Sequence, residues 1–393
     1  MQPSDLRVAL FSGNYNYVRD GANQALNRLV GHLLAHGAAV RVYSPTVATP
    51  AFAGVGDIVS LPSVKFPGGR GEYRFSSGVN ARIRRDLSEF APNIVHCSAP
   101  DVSGHRAVSW ARRHGIASVA SLHTRFETYP QYYGMAFLAP ALEALQRRFY
   151  QRFDEVLVPG RGMAELLHEW GVTTPIGIWS RGVDHARFSP TRRSDDWRAS
   201  RGIGADEVAV GFLGRLVKEK GLDVFARVAL ALKRRGVPHR IVVIGDGPAR
   251  DWFQRQVPDA IFAGFQSGDD LGRAVASLDI FFNPSVTESF GNVTLEAMAA
   301  GVPVVAARAS GTIGLVDDDS TGLLVRPRAI GGYADAIERL ARDPALRRSY
   351  GAAGHAKAQG YDWDAINDAV VAAYHRVLDA QATKASTAAP PST

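Results

Sequence analysis

At 393 residues the chain is too long for one ordinary core, so two domains are expected. A content of 46% hydrophobic and 21% charged residues describes a soluble globular protein. The net charge of +7 favours anionic partners, either nucleotide phosphates or acidic lipid surfaces; no zinc-ligand pattern, RNA-binding aromatic signature or long basic arm points to nucleic acid.

No apolar run reaches the ~18 residues of a membrane-spanning helix. Met1 to Arg7 leads straight into the strand-like Val8–Phe11, which leaves no room for a signal peptide. The single cysteine, Cys97, rules out an internal disulfide framework and fits a reducing cytoplasm. Its place beside His96, at the end of a strand, reads as packing rather than as a nucleophile.

Apolar runs predict strands at Leu6–Ser12, Ala39–Tyr43, Ile94–Cys97, Ser118–Leu122 and Glu155–Pro159. Helices are predicted between them at Gly21–His36, Gly78–Phe90, Gly104–Arg113 and Phe137–Phe153. Asp184 to Gly204, with Pro190 and a run of Arg and Asp, reads as a linker. The pattern then restarts, with strands at Val208–Gly214, Arg240–Gly245, Ala260–Ala263, Ile280–Asn283, Val304–Ala307 and Gly322–Val325. The second set of helices falls at Gly221–Arg235, Ala249–Gln256, Asp269–Ser277, Val293–Ala300 and Gly331–Leu340. Such alternation predicts an α/β fold of two facing, doubly wound parallel sheets with ligand in the cleft at their carboxyl ends. The expected domains are 1–188 and 189–363, followed by a final helix over 364–380 and a disordered tail over 381–393.

The densest chemistry lies between Thr287 and Pro303. Glu288 precedes a helix whose start, with Ser289, Phe290, Gly291, Asn292 and Val293, offers free N–H groups and a positive dipole end to a phosphate. Glu296, one turn further in among Leu295, Ala297 and Met298, is costly unless something pairs with it. Either carboxylate alone reads as a cap partner or a solvated side chain. Together, around an anion-binding turn, they suit a nucleotide sugar. Earlier, Gly214-Arg215 and Lys220-Gly221 place two cations where a leaving diphosphate could be held. Gly245 ends the next strand in a less specific turn.

In the first half, Ser12 to Ala22 lacks G-x-G-x-x-G, which disfavours a nicotinamide cofactor. Asp20-Gly21 there is either a backbone approach to a sugar or phosphate or simply a helix start. His123, at a strand's carboxyl end, faces the cleft as a sugar contact or general base. Arg125, Tyr129, Tyr132, Arg147, Arg148 and Arg152 mix aromatics with cations; they suit an anionic membrane surface, and equally a helix with buried aromatics and a wet basic face. Asp317-Asp318-Asp319 reads as a turn, and no metal is expected.

With these residues in place, the chain resembles the retaining glycosyltransferases of family 4. Glu288, Phe290, Gly291 and Glu296 match that family's E-x-F-G-x-x-x-x-E pattern, Arg215 and Lys220 its phosphate clamp, and His123-Thr124 its acceptor-side histidine. Ala99-Pro-Asp101, His123–Phe126, Tyr132–Gly134 and Trp179–Asp184 are similar to one branch. That branch contains sulfoquinovosyl-diacylglycerol synthases and bacterial diacylglycerol or ceramide glycosyltransferases. The resemblance implies the two-domain, Rossmann-like GT-B fold. It implies that Glu296 binds ribose, Arg215 and Lys220 hold the pyrophosphate with the Gly291 amide, Glu288 contacts sugar hydroxyls, and His123 sits at the reacting face.

The chain departs from the pattern at Asp20-Gly21, at Asn292-Val293 and at Gly311–Gly314, where a Glu common in relatives is absent. The expected activity is retaining, metal-independent transfer of a hexose, glucuronate or glucose, from a UDP-sugar to a lipid hydroxyl. No cofactor is required beyond the nucleotide-sugar donor. The enzyme is expected in the cytoplasm, attached peripherally to the inner face of the cell membrane. The alternatives are a GDP-mannose-dependent α-mannosyltransferase on a lipid-linked or polysaccharide acceptor, a nucleotide-sugar epimerase, and a non-catalytic sensor.

Overall fold

A computed structural model describes residues 2–18, 20–65, 74–128 and 130–388, with the side chains of Tyr132, Tyr133 and residues 385–388 excepted. The first half runs β1 (Arg7–Phe11), α1 (Gly21–Ala35), β2 (Ala39–Ser44), β3 (Asp57–Ser60), β4 (Ser63–Lys65) and β5 (Arg74–Ser76). It continues with α2 (Ala81–Phe90), β6 (Ile94–Cys97), α3 (Val102–Arg113), β7 (Ala117–Ser121), α4 (Ala139–Tyr150), β8 (Glu155–Val158), α5 (Arg161–Glu169) and β9 (Ile176–Ile178). The second half holds α6 (Asp195–Ser200), β10 (Ala209–Leu213), α7 (Leu222–Arg234), β11 (Arg240–Ile244), α8 (Arg250–Gln256), β12 (Ile261–Gly264) and α9 (Gly268–Ala276). It ends with β13 (Ile280–Asn283), α10 (Asn292–Ala299), β14 (Val304–Ala307), β15 (Gly322–Val325), α11 (Ile330–Arg342), α12 (Pro344–Ala358) and α13 (Trp363–Ala388).

Two parallel sheets result, ordered β3-β2-β1-β6-β7-β8-β9 and β12-β11-β10-β13-β14-β15. Their inner strands are apolar along their length because both faces are covered by helices. Val8, Ala9, Leu10 and Phe11 of β1 are all buried, as is every residue of β10 and β13. Strand order reverses between β1 and β6 and again between β10 and β13, so the loops after these strands open into the ligand-binding crevice.

Four expectations need correction. Residues 184–204, read as a linker, are folded: Phe188, Trp197 and Ile203 pack in the second core, and buried Arg198 donates to Asp279 at 2.8 Å. The segment from Gln381 is helical to Ala388, since Ala-rich sequence extends a helix already docked upstream; residues 389–393 lie outside the described part. Strands β3 and β9 were not expected, because half-exposed edge strands lack an apolar run. Helices α5 and α12 were not expected either. Small residues hide the period of α12, yet they let it lie close: a Cβ on Gly351 would fall 2.2 Å from the Gly301 carbonyl.

After α12 the chain returns to the first sheet. Val370, Ala373, Tyr374 and Val377 of α13 are buried with Leu10, Val119, Leu157 and Trp179. Arg376 donates to Glu155 at 2.6 Å, and His32 of α1 meets Asp368 at 2.9 Å.

Candidate active site

On the second sheet, Asn283 at the end of β13 donates to Thr294 Oγ1 (3.1 Å) and so anchors the start of α10. Gly291 caps that helix at φ +90°, a conformation that favours glycine. Thr294 and Leu295 donate their N–H groups back to the Gly291 carbonyl (2.9 and 3.1 Å). The N–H groups of Asn292 and Val293, next to the helix start, form no such bond among the described residues.

The loop after β10 lies against this turn. Thr287 Oγ1 donates to the Glu219 carbonyl (3.1 Å), and Lys220 Nζ donates to Glu288 Oε1 (2.6 Å). Arg215 is exposed at the carboxyl end of β10. Glu296 is pushed up from an ordinary 4.5 to about 8 by burial, with the charge of Arg187 opposing the shift.

Gly245 and Phe290 are held by packing. Gly245 faces Gly214, whose carbonyl would stand 2.0 Å from any Cβ, so it allows strand ends to meet rather than touching a ligand by a side chain. Phe290 is buried in the core beside Tyr361, 6.0 Å between rings.

On the first sheet His123 follows β7. Arg181 Nη2 donates to its Nδ1 at 2.6 Å, and Ser121 Oγ lies 2.8 Å from its Nε2. Burial, then the Arg181 charge, then His96 hold the His123 pKa well below 6.5, so the ring is neutral. With both nitrogens engaged by protein groups, the ring is not arranged as a general base. Arg181 itself is 3% exposed, and burial lowers its pKa to about 10, with Asp20 opposing. Asp20 caps α1 by accepting from the Asn23 N–H (2.8 Å), which fits the helix-start reading of Asp20-Gly21.

The two sides meet. Ser289 Oγ donates to the His123 carbonyl at 2.6 Å, and Arg125, paired with Glu127 (2.7 Å), donates to Ser310 Oγ at 3.1 Å. A Cβ on Gly21 would lie 2.2 Å from the Asn292 amide, and one on Gly162 would lie 2.5 Å from the Ser310 carbonyl. Thus His123, Gly21, Glu288, Ser289, Asn292 and Lys220 are gathered around one cleft.

The basic residues assigned to a membrane surface do not stay together. Arg125 lies in the cleft, and Arg152 turns inward, donating to Ser109 Oγ (2.6 Å) on α3. Arg147 and Arg148 remain exposed on α4. Tyr129 and the Tyr132 side chain lie outside the described residues. Asp317, Asp318 and Asp319 pair with Lys357, Arg308 and Arg339, and among the described residues no group of three or more metal-ligating side chains gathers. Cys97 is buried, as expected of a packed thiol.

Sequence reading missed His96, Ser310 and Tyr374. None carries a local motif; each acts through a partner far away in the chain.

Comparison with known proteins agrees with this geometry. The model for "Glycosyltransferase Family 4" matches residues 19–187, and that for "Glycosyl transferases group 1" matches residues 207–343. A GDP-mannose-dependent alpha-mannosyltransferase of Mycolicibacterium smegmatis is 30% identical over 391 residues, 97% of this chain and 100% of that protein. Sulfoquinovosyl transferase SQD2 of Arabidopsis thaliana is 32% identical over 298 residues, 74% of this chain but only 58% of that protein. In fold the chain is similar to sucrose-phosphate synthase from Thermosynechococcus elongatus, with a TM-score of 0.76 at 21% identity over 95% of this chain and 99% of that one. Two parallel α/β sheets, matched along nearly the whole length, make this chain a member of glycosyltransferase family 4 with the GT-B fold.

Proposed function

We propose that the enzyme transfers a hexose from a nucleoside diphosphate to a lipid hydroxyl, with retention of configuration and without a metal. The observation that carries the reading is the Ser289–His123 contact, which sets the donor turn against the acceptor-side histidine. Arg215 and Lys220 neutralise the leaving diphosphate together with the start of α10, doing the work a divalent cation does elsewhere. Glu296 takes the ribose hydroxyls, and Glu288 the sugar hydroxyls once Lys220 turns to phosphate. With no nitrogen of His123 open as a base, the departing diphosphate oxygen accepts the acceptor's proton on the same face, which favours retention.

A UDP-sugar, glucose or glucuronate, is the preferred donor, and diacylglycerol or ceramide the preferred acceptor. The second reading, GDP-mannose with a lipid-linked or polysaccharide acceptor, is favoured by the mannosyltransferase that matches 97% of this chain. Peripheral attachment at the cytoplasmic face of the membrane fits Phe137, 78% exposed just before α4, and exposed Leu145, Arg147 and Arg148 on that helix. No helix of the described residues is long and apolar enough to cross a membrane.

Incubation with lipid extract and a panel of UDP- and GDP-sugars, followed by mass spectrometry of the lipids, tests the reading. A glycolipid formed from one donor is expected. An epimer or free sugar formed equally without lipid would overturn it.

A further inference from the structure

The hydrogen bonds of the His123 ring continue away from the cleft. Ser121 Oγ lies 2.7 Å from His96 Nε2, and His96 Nδ1 lies 2.6 Å from Tyr374 Oη. His96 and Tyr374 are fully buried and Ser121 is 1% exposed. An unbroken polar chain therefore links Arg181 and His123 at the cleft, through the ends of β7 and β6, to the last helix of the protein. Trp179 walls it, with its ring 5.2 Å from His123 and 5.8 Å from His96.

One end of the chain is fixed. A guanidinium only donates, so Nδ1 of neutral His123 accepts and its proton sits on Nε2. That N–H donates to Ser121 Oγ, which is also the hydrogen-bond partner of His96 Nε2. His96, kept neutral by burial at a pKa of about 3, shares its other nitrogen, Nδ1, with the Tyr374 hydroxyl. Buried as they are, none of these groups can exchange its partner for water. Phenylalanine would fill the same apolar pocket of Val119, Leu157 and Trp179, so packing alone does not call for the hydroxyl.

We propose that Tyr374 is a positioning residue for sugar transfer. Through His96 and Ser121 it fixes the position and plane of the His123 ring, whose tautomer Arg181 sets, and with them how the His123 carbonyl meets the donor turn at Ser289. The proposal rests on His123 lining the reacting face. It makes the last helix, distant in sequence from both sheets' cleft loops, part of the catalytic frame.

The test compares full-length wild type with Tyr374→Phe, Ser121→Ala, the double variant and His123→Ala. Turnover is measured with UDP-glucose, UDP-glucuronate and GDP-mannose on diacylglycerol-containing vesicles, and histidine tautomers by nitrogen-15 NMR without any ligand. Tyr374→Phe is expected to lower kcat on the order of 10- to 100-fold, as misplacement of a reacting group does, with donor KM within about twofold. The nitrogen signals of the His96 ring should shift as its Nδ1 loses the hydroxyl, while His123 keeps the Nε2–H that Arg181 imposes. Ser121→Ala should do the same, also covering the case in which Tyr374→Phe does not fold, and the double variant should be no worse than the poorer single one. Unchanged His96 ring signals in the single variants, or losses that multiply in the double, would overturn the proposal. Loss of turnover in His123→Ala beside normal turnover in folded Tyr374→Phe would sink the positioning role alone. Full turnover in His123→Ala would remove the reading beneath it.

Discussion

On the second sheet the cleft-facing charges are paired within reach of solvent: the Lys220 and Glu288 side chains, 29% and 14% exposed, hold each other across two adjacent loops. On the first sheet the cleft-facing groups are dry. Arg181 and His123 are 3% and 9% exposed, and among the described residues no carboxylate forms an ion pair with the guanidinium, which donates to two carbonyls and an imidazole. The same architecture thus serves two tasks. Under the proposed function, groups that exchange one partner for a diphosphate stay within reach of solvent, whereas groups that hold a geometry through the reaction are buried and cross-bonded.

The comparison breaks most visibly at Lys220. Lys220→Ala removes a diphosphate contact and leaves Glu288 unpaired; kcat/KM in the transfer assay should fall on the order of 10²- to 10³-fold. Glu296→Ala should remove most turnover as well. Near-normal rates in both purified variants are incompatible with the donor site described.

Closure of the two sheets against each other can be probed at Gly162. An added methyl would stand 2.5 Å from the Ser310 carbonyl, and backbone cannot yield as a side-chain tip does. Gly162→Ala should hold the domains apart and lower kcat by about tenfold at unchanged thermal midpoint, since precise positioning is what closure supplies. Small-angle scattering on the same variant should report a larger radius.

A stability readout sharpens the donor side. Glu296, raised to about 8 when folded against an ordinary 4.5, contributes stability that is fully present below 4.5 and lost as pH rises through 8. Glu296→Gln escapes that loss. Its advantage in a denaturant titration should grow between pH 5 and about pH 9 to the order of 1–3 kcal/mol, while its transferase activity falls. An equal advantage at both pH values would mean that the carboxylate is not desolvated.

The smallest effect concerns the outer face of the first sheet. Charge reversal at Arg147 and Arg148 should weaken sedimentation with anionic vesicles by about fivefold per charge and leave neutral vesicles unaffected. Binding that ignores lipid charge would dissociate α4 from the membrane.

The same contrast explains what the sequence made legible. The donor side is written locally: Glu288, Gly291 and Glu296 fall within one strand–turn–helix, and the apolar runs of β10 and β13 announce themselves. The acceptor side is assembled from β6, β7, the loop holding Trp179 and Arg181, and a helix that returns from the end of the chain. His123 could be found because strand ends face the cleft; His96 and Tyr374 could not, because nothing within their own segments distinguishes a wired hydroxyl from a packed aromatic. The 184–204 segment misled for a related reason: its charges are visible in the sequence, but the burial of Arg198 against Asp279 is a tertiary fact.

The claim that one sheet grips the donor while the other positions the reaction is tested most directly by calorimetric titration of UDP and GDP into wild type, Lys220→Ala and Arg181→Met. The preferred nucleoside diphosphate should bind wild type and lose on the order of 10- to 100-fold in affinity in Lys220→Ala, the worth of a charge-assisted contact. Arg181→Met should bind it within about threefold of wild type while failing to transfer sugar. Equal weakening in both variants, or undiminished binding in Lys220→Ala, would contradict the division of labour between the two sheets.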